Sequence, residues 1–253
     1  ASGNYELTLG GFEITDWTAD IDTYGGEARQ YFVVHQDEPG TLGAKIRATK
    51  KNPNKIKNLK ISGKIDDRDF QFMRDSMEIL QAINLKESEM VSSWVYHVQF
   101  CENGVWGNYH DEIFPGDIPE SEEECRAAVR ERYPNVDNFS WNSRYQRNYA
   151  HEIPNNAFSG KMSLVYFSFP EKVTKIGYHA FGGTLLSGAL IIPNDVVEIG
   201  EYTFSGCSNI TSLSLPPHLE KIGFQAFINC SALSGNLGLP SSLTYIGDGA
   251  FDM

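Results

Sequence analysis

At 253 residues, with 41% apolar and 21% charged side chains, the chain is too rich in core-forming residues to be disordered and long enough for two domains. Lys and Arg number 21 against 33 Asp and Glu, and the net charge of −12 argues against nucleic-acid binding and against docking on anionic lipid. No apolar run reaches the roughly 20 residues of a membrane span, no signal peptide is visible, and four Cys are too few for a disulfide scaffold.

Residues 1–38 hold two strand candidates, YELTLGGFEI and QYFVVHQ. They read as an N-terminal β segment or a linker from a preceding module. Ala1 in place of an initiating Met predicts a processed form or a piece of a longer protein. FEITDWTAD resembles the closing strand of fimbrillin-like surface modules. That resemblance implies the C-terminal part of an adhesin-like protein.

Residues 39–90 read as two rungs with helices, forming a cap. Ile56-x-x-Leu59-x-Ile61 and Leu80-x-x-Ile83-x-Leu85 repeat one strand pattern 24 residues apart. A short helix is expected from Thr41 to about Lys50, with Leu42 and Ile46 inward. A second opens at Asp66 or Asp67, both good N-caps. Phe70, Met73 and Met77 then fall on one helical face.

Residues 91–150 break the register and predict a small inserted ββαβ unit. SWVYHVQF alternates as a strand, Asn103-Gly104 is a hairpin turn signal, and VWGNYHDEIF is the return strand. Ser121-x-x-Glu124 is a capping box opening EEECRAAVRERY, and DNFSWNSRYQRN is a last strand. The unit is rich in aromatics. Trp94, Tyr96, Trp106, Tyr109, Trp141 and Tyr145 are candidate contact residues, although most of the rings must build the unit's own core.

Residues 151–253 are periodic. Phe158, Phe181, Phe204, Phe227 and Phe251 follow in steps of 23, 23, 23 and 24. Pro170, Pro193, Pro216 and Pro240 keep the same register, as do the Ile-Gly pairs at 176, 199, 222 and 246. Such a period predicts a leucine-rich-repeat solenoid, because one unit cannot bury its apolar set and a stack can. Strands are expected at Phe167-x-Phe169, Leu190-x-Ile192, Leu213-x-Leu215 and Leu237-x-Leu239, each ended by Pro. Tyr166, Ser168, Ser212, Ser214 and Asn236 should then point outward, and they are the candidate contact residues of the repeats, on a face that reads equally as a solvated sheet surface. The Gly after each Ile is expected to supply an unusual backbone angle. Cys207 and Cys230 should be buried free thiols in one column, leaving Cys101 and Cys125 as the better pair for a bridge.

LPSSLTYIGDGAF at 239–251 and LPPHLEKIGFQAFINCSAL at 215–233 resemble BspA-like leucine-rich repeats of bacterial surface proteins. LKISGKIDDRDFQFMRDSM resembles the segment preceding such repeats. The fold class is therefore α/β: a parallel-sheet solenoid with helical cap rungs and an inserted α+β unit. The resemblance implies a secreted or cell-surface module that contacts host proteins, other cells or matrix.

Catalytic signatures such as a P-loop, G-x-S-x-G or H-E-x-x-H are missing, and no cofactor is expected. His97, Cys101, His110 and Cys125 form a conceivable zinc set, but their spacing matches no standard site, and no metal is expected. The favoured reading is a non-catalytic binding or adhesion module for an extracellular protein or glycan, with membrane attachment only through an upstream lipid anchor. A structural spacer and a glycan-acting enzyme built on the insertion are the alternatives. The last unit repeats the apolar set of the internal ones, which predicts either further repeats or an end-to-end dimer.

Overall fold

The computed structural model describes residues 21–24, 27–117, 119–136 and 138–253, with the backbone alone at 21–24, 27–30, 110, 111, 142 and 145–148. YELTLGGFEI and FEITDWTAD lie outside the described residues. β1 (Ile21–Tyr24) and β2 (Glu27–Gln30) pair antiparallel.

β3 (Phe32–Gln36), β4 (Asn58–Ile65) and β5 (Ala82–Met90) are parallel neighbours with Phe32, Leu59 and Ile83 in one row. Parallel pairing needs crossovers. These carry α1 (Leu42–Ala48), a 3-10 turn at Pro53–Lys55, and α2 (Asp67–Ser76). The sheet thus reaches back before residue 39. Leu42, Ile46, Phe70, Met73 and Met77 are buried, as their spacing requires. Asp66 caps α2 through a reciprocal box with Asp69. Asp69 also accepts from Gly40 N (2.7 Å) and Leu42 N (3.1 Å), so one carboxylate holds the starts of both helices.

The insertion comprises β6 (Ser93–Glu102), β7 (Val105–Trp106), β8 (His110–Pro115), α3 (Glu122–Arg132) and β9 (Asn138–Asn148). β6 is central and pairs antiparallel with the other three strands. The expected return strand is split at 107–109 into β7 and β8. Ser121 and Glu124 make the capping box of α3.

In the repeats, β10 (Glu152–Ile153), β12 (Lys175–Ile176), β14 (Glu198–Ile199), β16 (Lys221–Ile222) and β17 (Tyr245–Ile246) form a five-stranded parallel sheet. One unit advances one strand. Phe158, Phe181, Phe204, Phe227 and Phe251 stack in a column, with successive centroids 5.7, 5.3, 5.2 and 5.3 Å apart. Each of the first four units turns through two left-handed residues, and the last through one. One sits at Asn156, His179, Tyr202, Gln225 and Gly249, and the other at Gly160, Gly183, Gly206 and Asn229.

The glycines of the Ile-Gly pairs are not those residues. Gly177, Gly200, Gly223 and Gly247 keep ordinary φ values. They are small because a Cβ would strike the preceding unit's backbone, at 2.5 Å from Glu201 N for Gly223. The expectation of a special backbone angle is corrected: stacking distance excludes the side chain.

The strands before each Pro are also less regular than expected. β11 (Tyr166–Ser168) joins β5, and β13 (Ser187–Ile191) pairs with β15 (Asn209–Ser214). No strand forms at Leu237-x-Leu239, where Gly235 and Gly238 flank Leu237 and weaken pairing. Tyr166 and Ser168 are buried, not displayed, and their hydroxyls lie 2.6 Å apart. Tyr166 packs with Tyr31 and Ala82, and Lys60 and Asn84 are buried nearby, so this parallel sheet is covered on both faces. All four cysteines are buried free thiols. Cys207 Sγ donates to Phe181 O and Cys230 Sγ to Phe204 O, each at 3.2 Å, one unit apart.

Candidate functional site

β6 separates two faces of the inserted sheet. Trp94, Tyr96 and Val98 alternate inward onto Phe114, Phe139 and, from α3, Cys125 and Val129. Trp94 stacks on Phe114 at 4.7 Å, and Tyr96 on Trp141 at 5.7 Å. Tyr96 donates its hydroxyl to Glu122, and Tyr133 donates to Glu112. Burial first, and the adjacent carboxylate second, push both phenols above their ordinary range, Tyr133 to about 12. Trp94 and Tyr96 are therefore core residues and Trp141 is half-buried against them, which corrects their assignment as contact residues. A small unit must spend its largest rings on its own core.

On the opposite face Ser93, Val95 and Cys101 are buried as well, and the open part is the end that carries β7. Asn103 and Gly104 have φ of 50° and 76°, which turns the chain tightly and lays Trp106 opposite Cys101. Trp106 is 46% exposed and Tyr109 40% exposed. Tyr109 stacks on His97 at 5.3 Å and 10°, and its hydroxyl lies 3.0 Å from Ser140 Oγ. Trp106 and Tyr109 thus present ring surface to solvent along this hairpin, with Tyr109 held by His97 and Ser140. The backbone of Tyr145 pairs with Val95 on the same sheet, and its side chain lies outside the described residues.

On the other side of this hairpin lies an open groove of about 390 Å³, lined by Phe100, Glu102, Val105, Gly107 and Asn108. Glu102 is the one carboxylate lining it. A second groove of about 300 Å³ runs past Lys86, Glu87, Met90, His151, Glu171 and Lys172, with charges of both signs. The conceivable zinc set does not converge: Cys125 is on the buried side of α3, packed against one face of the sheet, while His97 stacks on Tyr109 on the other. Among the described residues no group of three His, Cys, Asp or Glu could hold a metal. No described helix is long and apolar enough to cross a membrane. Ser212, Ser214 and Asn236 are exposed, the first two on β15 and the third in the irregular segment before Pro240.

The repeats carry an aromatic cluster that the sequence reading passed over. Tyr202 lies between Tyr178 (5.9 Å) and Phe224 (5.4 Å), edge to face with both. The signal was an aromatic one or two positions after Ile-Gly in three successive units.

The family described as BspA type leucine rich repeat region matches residues 141–253 in six copies. Among solved structures, the crystal structure of a leucine-rich repeat protein of T. pallidum is 36% identical over 40% of this chain and 47% of that one, with a TM-score of 0.38. The matched part thus spans about half of that protein. No curated protein matches. The matched family reaches back into β9, and its copies carry the Phe column and the Ile-Gly rungs. Residues 141–253 of this chain therefore belong to the BspA-type leucine-rich repeat family.

Proposed function

We propose that this protein is a non-catalytic binding module, working outside the cell or at its surface, in which the stacked repeats hold the inserted sheet toward a protein or glycan ligand. The observation that carries this reading is the open hairpin face. Trp106 and Tyr109 stay exposed while Trp94 and Tyr96 are buried. Exposed rings on a rigid support supply contact area at low entropic cost. Membership of residues 141–253 in a surface-type repeat family supports the location and the binding role. The bland exposed serines of β15 favour the spacer reading for that part of the chain alone.

The test is a binding screen against matrix proteins and a glycan array. The wild-type chain is compared with Trp106→Ala/Tyr109→Ala. Loss of a hit by tenfold or more, with unchanged circular dichroism, supports the face. A hit that survives the double substitution overturns it.

A further inference from the structure

A second surface runs along the repeats themselves. The residue after each Ile-Gly pair is Tyr178, Glu201, Phe224 and Asp248 in turn. Their backbones form one ladder. Asn156 N donates to Tyr178 O (2.8 Å), His179 N to Glu201 O (2.9 Å), Tyr202 N to Phe224 O (2.9 Å) and Gln225 N to Asp248 O (3.1 Å). Ring and carboxylate therefore alternate along a fixed column. Tyr178, Glu201 and Asp248 are exposed and Phe224 half-exposed, with Tyr202 wedged between the two rings.

Charge selects the occupant. The lysines of the adjacent column, Lys175 and Lys221, both face Glu198, at 3.6 and 3.3 Å. Residues 151–253 hold no arginine and twice as many carboxylates as lysines. A ring face beside a carboxylate is the arrangement that attracts an ammonium or guanidinium group. Ring and acid positions stand one rung apart at Tyr178/Glu201 and again, two units on, at Phe224/Asp248.

We propose that the Tyr178–Glu201–Phe224–Asp248 column docks a basic segment of a protein partner, with one Lys or Arg at each ring–acid step. Strands of a ladder lie about 4.8 Å apart, so the two steps are about 9.6 Å apart. A polyproline-II segment repeats its face every three residues at about 3.1 Å each, which matches. Basic residues at every third position of such a segment would meet both steps.

The probe is a synthetic peptide with Arg at every third position on a proline background, titrated by calorimetry at low and physiological salt. Its twin carries Gln in place of Arg. Variants are Tyr178→Ala, Glu201→Gln/Asp248→Asn, and Glu123→Gln/Glu131→Gln on α3 as an equal change of net charge elsewhere. The expected result is tenfold or greater loss in the first two, under twofold change in the third, and no comparable binding of the Gln peptide. Trp106→Ala/Tyr109→Ala should leave the peptide affinity unchanged, which separates this surface from the hairpin face. Equal loss in the α3 variant would reduce the effect to bulk charge and overturn the proposal. So would unchanged affinity in Glu201→Gln/Asp248→Asn, or a neutral oligosaccharide that competes with the peptide for the column.

Discussion

Lys161 donates its ammonium to the carbonyl of Met77 at 2.8 Å, and to that of Arg74 at 3.1 Å. Lys161 occupies the repeat position filled by Thr184, Cys207 and Cys230 in later units. A polar core position of the first repeat thus closes the end of the cap helix, whose last carbonyls have no partner within the helix. Lys161→Met should leave those carbonyls unpaired and cost about 1–3 kcal/mol. Urea unfolding measures the loss. Burial holds the ammonium below its ordinary value of 10.5, so the unfolded chain binds the proton more readily just below that pH. The contribution of Lys161 to stability should therefore rise as pH climbs toward 10.5.

Phe204 is fully buried between Phe181 and Phe227, at 5.3 and 5.2 Å. Phe204→Ala opens a cavity in the middle of the column. The expected cost is about 3–5 kcal/mol in chemical denaturation. A cost below about 1 kcal/mol would contradict the stacking.

Gly223→Ala and Gly238→Ala separate crowding from flexibility. A Cβ on Gly223 meets backbone at 2.5 Å, while one on Gly238 meets nothing within 4 Å. The first substitution should cost about 1–3 kcal/mol. The second should change stability by no more than about 0.5 kcal/mol. Thermal melts of the two proteins, compared side by side, decide.

Burial pushes the thiol of Cys207 up to about 11 and that of Cys230 up to about 12. The thiolate is the reactive form. At pH 8 neither should be labelled by a thiol reagent in the folded protein, and mass spectrometry after labelling in denaturant should find both modified. Labelling of either in the native state would show that the column opens.

Asp69 has its carboxyl raised to about 6 from 3.8, by burial first and Asp66 also, against the lowering effect of its backbone N–H partners. The folded state then holds this proton more tightly than the unfolded chain. Its contribution is fully present below about 3.8 and is lost as pH rises through about 6. The wild type should gain stability relative to Asp69→Asn on acidification from pH 7 to 4. The denaturation midpoints of the two proteins across that range are the measurement, and a difference independent of pH would reject the assignment.

The recurrence of Phe and Ile-Gly every 23 or 24 residues was sufficient to place the column, the units and the buried thiols. The caps at Asp66 and Ser121 likewise announced α2 and α3. Both signals are local: period and capping record which way a side chain points relative to its own chain. What covers the far side of a strand is not local. Tyr166 and Ser168 alternate outward as expected, yet both are buried, Tyr166 against Tyr31 and Ser168 beside the Tyr166 hydroxyl. Among the insertion's aromatics, composition alone could not separate Trp94 and Tyr96 from Trp106 and Tyr109. Their separation follows from β6 pairing on both edges, with α3 packed on one side of the sheet. The ring–acid column was written in the sequence one residue after each Ile-Gly, but its meaning depends on unit-to-unit hydrogen bonds. Only the stacked structure brings Tyr178, Glu201, Phe224 and Asp248 onto one line, because residues 23 or 24 positions apart become neighbours only when the units pack.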